Sequence, residues 1–259
     1  MTVLLKIDNL YKKYKGSKYF LSSGFRNAIG PINFTLERGK TLAIIGENGS
    51  GKSTLVKMIA GIIPTTSGDI IINGNSFATM SRQERCKSIR IIFQDPGISL
   101  NPKVTIGKIL TAPLELNTDL TELQRKQQIL EVLELVGLLP DYLKFYPNML
   151  SAFQQHQVAI ARAMILNPDI IIADSILSTL DISLGFKIVN KLLDIQTKTG
   201  VSYIFISHKM NLVRHISDQV VVMQNGLIVE NNTTEQIFNY PQQQTTKNLL
   251  QSEQPDYRK

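Results

Sequence analysis

The chain has 259 residues, 43% hydrophobic and 19% charged, the composition of a globular protein of one large or two modest domains. A chain this long buries a sizeable core without staples, and its single cysteine, Cys86, excludes an internal disulfide. The formal charge of +7 points to anionic partners such as nucleotide phosphates, acidic lipid or nucleic acid.

The opening "MTVLLKIDNL" carries Asp8 and no long apolar core, so it does not read as a secretory signal. Lys6, Lys12, Lys13, Lys15, Lys18, Arg26, Arg38 and Lys40 face only Asp8 and Glu37. This basic segment, centred on 11–30, reads as a solvated surface loop or a face toward acidic membrane, and no nucleic-acid motif accompanies it. Residues 41–45, "TLAII", read as a buried strand. "GENGSGKST" follows, and then a helix with Leu55, Ile59, Ile62 and Ile63 on one face. Residues 69–72 form a strand beside a turn at Asn73-Gly74. From 98 to 165 helical patterns, including 122–136, run without a convincing strand, as in a helical insertion. "IIIA" at 170–173, "YIFI" at 203–206 and "VVVM" at 220–223 read as short buried strands, with a helix at 186–198 between the first two. A last strand at 227–230 lies beside a turn at Asn225-Gly226. The polar tail from Gln242 is expected to end loosely. Apolar runs such as "LAII" and "VVVM" fall far short of the roughly 18 residues of a membrane span. Alternating strands and helices argue for an α/β fold with a mainly parallel sheet.

Gly46 to Ser53 fits G-x-x-x-x-G-K-[ST]. Gly46, Gly49 and Gly51 allow the backbone to approach phosphate and turn N–H groups toward it. Lys52 supplies a point charge to the β and γ phosphates. Ser53 offers a hydroxyl to Mg²⁺, and the helix N-terminus adds its partial positive charge. Glu47, Asn48, Ser50 and Thr54 complete the predicted loop. A glycine-rich structural turn is the competing reading, but strand, loop and helix come in the order that ATP or GTP binding requires.

Four further motifs bear a resemblance. "LSAFQQHQVAIARAMILNPDIIIAD" is similar to the signature-to-Walker-B segment of ABC transporter ATPases. "FQD" places Gln94 at that family's Q-loop, "STLD" places Asp181 at its D-loop, and "FISHKM" places His208 at its switch histidine. In "YKKY", Tyr14 stands before the first predicted strand, where the family stacks a ring on adenine, with Tyr11 the competitor. The resemblance covers nearly the whole chain. "IIFQDPGISLNPKVTIGKIL" resembles the oligopeptide and dipeptide importer branch. "YPQQQTTKNLL" echoes that branch's P-x-H-P-Y-T-x-x-L-L ending, with Gln243, Gln244 and Thr245 replacing its His, Pro and Tyr. No cysteine cluster is present, so no iron–sulfur centre is expected.

The resemblance implies a P-loop NTPase core with a mainly parallel sheet, an antiparallel β subdomain and an inserted helical subdomain. The core is expected over 1–97 and 166–235, the helical subdomain over 98–165 and a tail over 236–259. It implies ATP and Mg²⁺ as cofactors, with Ser53, Gln94 and Asp174 toward the metal and His208 toward the γ-phosphate. Ser151 and Gln154 would meet the ATP of a second subunit, and Asp181 the dimer contact. The implied partners are a second related ATPase, two transmembrane permease subunits and, indirectly, a periplasmic binding protein, on the cytoplasmic face of the inner membrane. Peptides, including cationic antimicrobial ones, are the implied cargo, with polyamines as the alternative.

Two positions depart from the family pattern. Ser175 follows Asp174 where a glutamate normally activates water, and a serine hydroxyl is no base near neutral pH without a base beside it. Losing general-base help costs about 10²–10⁴ in rate, or ~3–5 kcal/mol of barrier. Ala152 and Phe153 replace two glycines of "LSGGQ", which allow close approach to phosphate. In a heterodimer the two departures weaken different composite sites. They therefore predict the hydrolysis-impaired half of a heterodimer, or else a nucleotide-sensing regulatory subunit, with His208 or a partner residue as a substitute base. A soluble ABC protein of translation or DNA repair is a third reading, disfavoured by the single cassette.

Overall fold

The computed structural model describes residues 2–14, 29–178 and 180–251, so most of the basic segment 11–30 and the last eight residues lie outside the described residues. The chain packs as two compact units, Met1–Met80 with His208–Lys259, and Ser81–Ser207. The described strands are β1 (Val3–Lys12), β2 (Ile29–Glu37), β3 (Thr41–Gly46), β4 (Ser67–Ile72), β5 (Asn75–Ser76), β6 (Ile89–Ile92), β7 (Ile170–Asp174), β8 (Ser202–Ile206), β9 (Gln219–Gln224) and β10 (Leu227–Thr233).

In the first unit, β2, β1, β4 and β5 form an antiparallel sheet in that order. Ile32, Phe34 and Leu36 of β2 are buried while the residues between them are exposed, the period of a one-sided strand. Strand β1 escapes a pattern-based reading for a physical reason. Its pairing with β2 shifts register at three places and Asn9 has φ +48°, so bulges break the two-residue period of β1. Tyr14 therefore lies after the first strand, not before it.

Strand β3 is buried throughout and runs parallel to β9, with Leu42 opposite Gln219 and Gly46 opposite Met223. Asp218 fixes that register. Its carboxylate accepts from Thr41 N at 2.8 Å and from Lys40 Nζ at 2.8 Å, and Asp218 N donates to Thr41 O at 2.9 Å. The Asp218 hydrogen bond, and then its charge, raises the Lys40 pKa above the ordinary lysine value. Asn73-Gly74 and Asn225-Gly226 all have positive φ and close two-residue hairpins between β4 and β5 and between β9 and β10.

The helix after β3, Lys52–Ile59, ends earlier than the apolar pattern suggests. Gly61, at φ +69°, donates to Met58 O at 2.9 Å while Ile62 N donates to Lys57 O at 2.8 Å. These bonds form a Schellman stop. Leu55 and Ile59 are buried, but Ile62 is 48% exposed, so Ile62 and Ile63 leave the helical face.

In the second unit, β6, β7 and β8 are parallel neighbours. "IIIA" of β7 and all of β8 are buried, the continuous apolar reading of strands covered on both faces. Between β6 and β7 come the helices Ile106–Asn117, Glu122–Val136 and Ala152–Met164, with no strand among residues 98–165. The second begins at a Thr121–Gln124 capping box, ends at Gly137 with φ +83°, and buries Ile129, Val132, Leu133 and Val136. Helix Ile182–Thr199 buries Ile188, Val189, Leu192 and Ile195. Burying each such side chain contributes ~1.5–3 kcal/mol. The fold is the α/β arrangement the sequence predicts, parallel and antiparallel sheets with a helical insertion.

The tail does not end loosely through residue 251. Helix Gln244–Gln251 docks with Thr246 fully buried. The Glu230 carboxylate accepts from Gln242 N at 3.0 Å, Gln243 N at 3.1 Å and Thr246 Oγ1. Partial burial pushes the Glu230 pKa up, but these hydrogen bonds and the Lys247 charge outweigh it and hold the carboxyl below its usual range. A group lowered on folding stabilises fully above its unfolded pKa and loses that contribution as pH falls through the folded one. Glu230→Gln is expected to cost about 1 kcal/mol, given the exposure of the group. In urea titrations the gap between wild type and variant should be full at pH 7 and shrink below about pH 4.

Candidate functional site

The first unit carries the glycine-rich loop. Strand β3 delivers Gly46 against β9, where an added Cβ would lie 2.3 Å from Met223 O, and its φ of +148° suits glycine. Residue 46 therefore has no room for a side chain, and the chain turns at once into the loop. Glu47, Asn48 and Gly49 are exposed on the rim, whereas Ser50 is buried. Lys52 is only 5% exposed. Its ammonium folds back over the loop and donates to Gly46 O at 2.7 Å, Glu47 O at 2.8 Å and Ser50 Oγ at 3.3 Å. The loop is closed from behind by Gly226 N, which donates to Ser50 O at 3.0 Å. Ser53 is exposed and Thr54 half-buried in the first turn of the helix. A buried cation ringed by loop oxygens, with open backbone at the rim, fits a phosphate chain.

Tyr11 sits within β1, paired opposite Ser67, with its backbone oxygen taken by Thr66 N at 2.8 Å. Tyr14 lies just past that strand with 40% of its surface exposed, and Lys12 Nζ stands 5.4 Å from its ring centroid. The exposed ring is the better platform for a flat ligand. His208 is exposed, two residues past the end of β8.

The second unit carries the other motif residues. Asp174 is the half-buried last residue of β7. Ser175 follows with φ +52°, a left-handed conformation uncommon for serine. Its amide donates to Ile206 O at 3.0 Å, and its carbonyl accepts from Ser178 N at 3.1 Å. Gln94 is brought to this loop and donates to Ser178 Oγ at 3.2 Å. Asp181 is exposed and caps helix Ile182–Thr199 through Leu184 N at 2.9 Å.

Ser151 caps helix Ala152–Met164 in a reciprocal box. Its hydroxyl accepts from Gln154 N at 3.3 Å while Gln154 Oε1 accepts from Ser151 N at 2.9 Å. Ala152 and Phe153 are the first two helical residues, and neither has positive φ. The backbone here does not need the glycines, so their loss alters approach to the helix end and not the fold. Pattern matching passes over three residues that the structure adds: Ser178, Tyr142, whose hydroxyl accepts from Gln154 Nε2 at 2.7 Å, and the buried His156. None has a spacing signature, because each is recruited from a different segment.

Ser53 in the first unit, and Gln94 and Asp174 in the second, each carry an oxygen of the hard type that Mg²⁺ takes. Removing the Lys52 ammonium should remove charge-assisted bonds to phosphate worth roughly 1.5–3 kcal/mol. Lys52→Ala is expected to weaken nucleotide binding about 100-fold, read by equilibrium binding of a fluorescent ATP analogue.

Residues 29–178 match the ABC transporter family. "Putrescine export system ATP-binding protein SapF" of Escherichia coli K12 is 45% identical over 247 residues, 95% of this chain and 92% of that one. "Peptide transport system ATP-binding protein SapF" of Salmonella typhimurium is 44% identical over 247 residues, again 95% and 92%. "Dipeptide transport ATP-binding protein DppF" of Haemophilus influenzae is 42% identical over 253 residues, 96% of this chain and 77% of that one. Among solved structures, the ATP-binding cassette MJ0796, a dimer in a post-hydrolysis state bound to ADP and Pi, is similar with a TM-score of 0.74 and 27% identity, covering 89% of this chain and 99% of that one. With the phosphate loop, the capped signature helix and the strand ending at Asp174 in place, this chain belongs to the ABC transporter family.

Proposed function

We propose that this chain is the ATP-binding subunit of a peptide transporter and the hydrolysis-impaired half of a heterodimeric ATPase. The observation that carries the reading is Ser175, a serine in left-handed conformation directly after the strand-terminal Asp174. In this reading Lys52 and the loop 46–54 hold the triphosphate, and Tyr14 stacks on adenine. Ser53, Gln94 and Asp174 are toward Mg²⁺, His208 toward the γ-phosphate and Asp181 toward the second subunit. Bound Mg²⁺ would neutralise phosphate charge, and the phosphate loop would orient the chain.

Hydrolysis needs more than binding. Water must lose a proton as it attacks phosphorus, and the Ser175 hydroxyl does not take one near neutral pH. Binding energy therefore remains while turnover at this site drops. The signature end of this chain, Ser151 to Gln154, would serve the partner's nucleotide, where Ala152 and Phe153 hinder approach. A homodimer would carry both lesions at both sites, which favours a second ATPase bearing its own glutamate and glycines. Two permease subunits, a periplasmic binding protein and the cytoplasmic face of the inner membrane complete the proposal. The functional boundaries proposed are a core over 1–97 and 166–235, a helical subdomain over 98–165 and a tail over 236–259.

The peptide cargo is supported by the names of the Salmonella SapF and Haemophilus DppF relatives. A polyamine cargo is the second reading, favoured by the name of the K12 relative. Uptake of labelled dipeptide against efflux of preloaded labelled putrescine, in cells with and without this chain, separates the two.

Ser175→Glu is the decisive substitution for the ATPase. It should raise turnover by about 10²–10⁴ with the ATP Kd unchanged. Serine already bears the left-handed strain of ~1–2 kcal/mol, so the melting temperature should barely move. Substantial turnover by the unaltered chain alone would sink the proposal and shift the base role to another group. ATP binding without hydrolysis, even with the partner present, would favour a regulatory subunit instead. Restoring glycines with Ala152→Gly and Phe153→Gly should raise turnover at the partner's site. It should also cost about 1 kcal/mol of helix stability per glycine, read as a lower urea midpoint.

A further inference from the structure

Four consecutive side chains at the start of helix Ala152–Met164 each tie it to a different segment. Gln154 Nε2 donates to the Tyr142 hydroxyl at 2.7 Å. Gln155 Nε2 donates to Pro147 O at 3.0 Å and Leu150 O at 3.3 Å. Gln157 Nε2 donates to Val136 O at 2.7 Å. Between them, His156 is 4% exposed and spans Ala152 O and Ile176 O, with Nδ1 and Nε2 each 2.7 Å from one oxygen.

Of the four, His156 alone reaches the loop that follows β7. Ile176 is the residue after Ser175, and that loop is also held by Ser175 N on Ile206 O and by Gln94 on Ser178. Ala152 is the first helical residue after the capping Ser151. The rigid, planar imidazole thus joins the first turn of the signature helix to the peptide next to the position where water activation is decided. Carbonyl oxygens only accept, so the ring nitrogen that carries hydrogen donates to the carbonyl it faces, and the other nitrogen is held in close polar contact with the second carbonyl. A buried planar ring wedged at 2.7 Å from both oxygens ties the positions of the two segments to each other.

We propose that His156 is a positioning residue that couples the Ser175 loop to the signature end of the helix, so that nucleotide held by this chain sets the geometry offered to the partner's nucleotide. This rests on the roles proposed above for the 151–154 segment and the 174–178 loop. Hydrolysis at this chain's own site is not required. A subunit with a weak base can therefore still report its nucleotide state across the dimer.

The test is amide hydrogen exchange on the full chain with and without Mg·ATP, for wild type, His156→Met and His156→Gln. Methionine matches the length and burial of the site but donates nothing. Glutamine keeps a donor amide. In wild type, Mg·ATP should protect the amides of residues 175–178 and, with them, Gln154 and Gln155. His156→Met should bind Mg·ATP with a Kd within about twofold of wild type, keep the protection at 175–178 and lose it at 154–155. His156→Gln should restore it. A loss of packing alone would weaken both segments with and without nucleotide, and glutamine would not rescue it. Undiminished protection at 154–155 in His156→Met overturns the proposal. So does a folded His156→Gln that fails to transmit, which keeps the test decisive if the methionine variant does not fold. Wild type that binds Mg·ATP without protecting 175–178 overturns the functional reading of the loop, and the coupling with it.

Discussion

The absence of room at residue 46 governs the nucleotide end of this protein. Strand β3 pairs in parallel with β9 up to Gly46 opposite Met223, and this hydrogen-bonded spacing brings Met223 O to where a Cβ would stand. Asp218 sets the register of the pair, through Thr41 N and Lys40, five residues upstream of the glycine. Because the strands meet there, the chain leaves the sheet at Gly46 in a tight turn and begins a helix at Lys52. The lysine then falls back over the turn and is held by its oxygens. The binding element is a consequence of sheet packing that happens to end in a ring of polar atoms around a cation.

The second unit solves a different problem. Strand β8 and residues 170–173 of β7 are buried throughout, so the candidate polar groups of this unit sit at the strand ends and beyond them. Side-chain bonds hold the loop after β7, where Gln94 reaches the Ser178 hydroxyl and His156 meets the Ile176 carbonyl, and Gln157 ties two helices together through Val136 O. Such bonds fix loops without burying them, which leaves the Asp174–Ser175 corner half-exposed and defined in conformation. The Ser151–Gln154 capping box does the same for the signature helix. Its backbone is an ordinary helical start, so alanine and phenylalanine are accommodated where the family has glycine.

Binding and bond-breaking are separable in this design. In the function proposed above, the groups that attract a triphosphate are charges and backbone dipoles set by the fold, whereas a base at position 175 would be one side chain on a corner. Changing that side chain would leave the attraction intact. In the heterodimer proposed above, a subunit of this kind contributes affinity and closure while its partner contributes turnover. On that proposal the energetic cost of the change falls on the rate at one site and not on stability.

Local signals in the sequence decided a large part of this protein. The phosphate loop, the strands at 41–45, 170–173, 203–206 and 220–223, both Asn-Gly hairpins and the helix over 122–136 were legible. In each, periodicity, glycine placement and capping agree with the fold. Where long-range pairing overrides period, reading failed. β1 is bulged at Asn9, β6 is four residues interrupted by Arg90, and the tail becomes a helix because Glu230 accepts its leading amides. Spacing placed the residues around Lys52, Asp174 and Ser175 as candidates, because strand-end chemistry leaves a mark in sequence. The partners of those residues left none. That Ser178 receives Gln94, that Tyr142 receives Gln154, and that His156 bridges two carbonyls from segments 24 residues apart in number (152 and 176) was decided only by packing. The His156 contacts read no identity from the residues whose carbonyls they use, and the pairs Gln94–Ser178 and Gln154–Tyr142 join positions 84 and 12 residues apart, so the sequence carries each donor and only the tertiary structure supplies its partner.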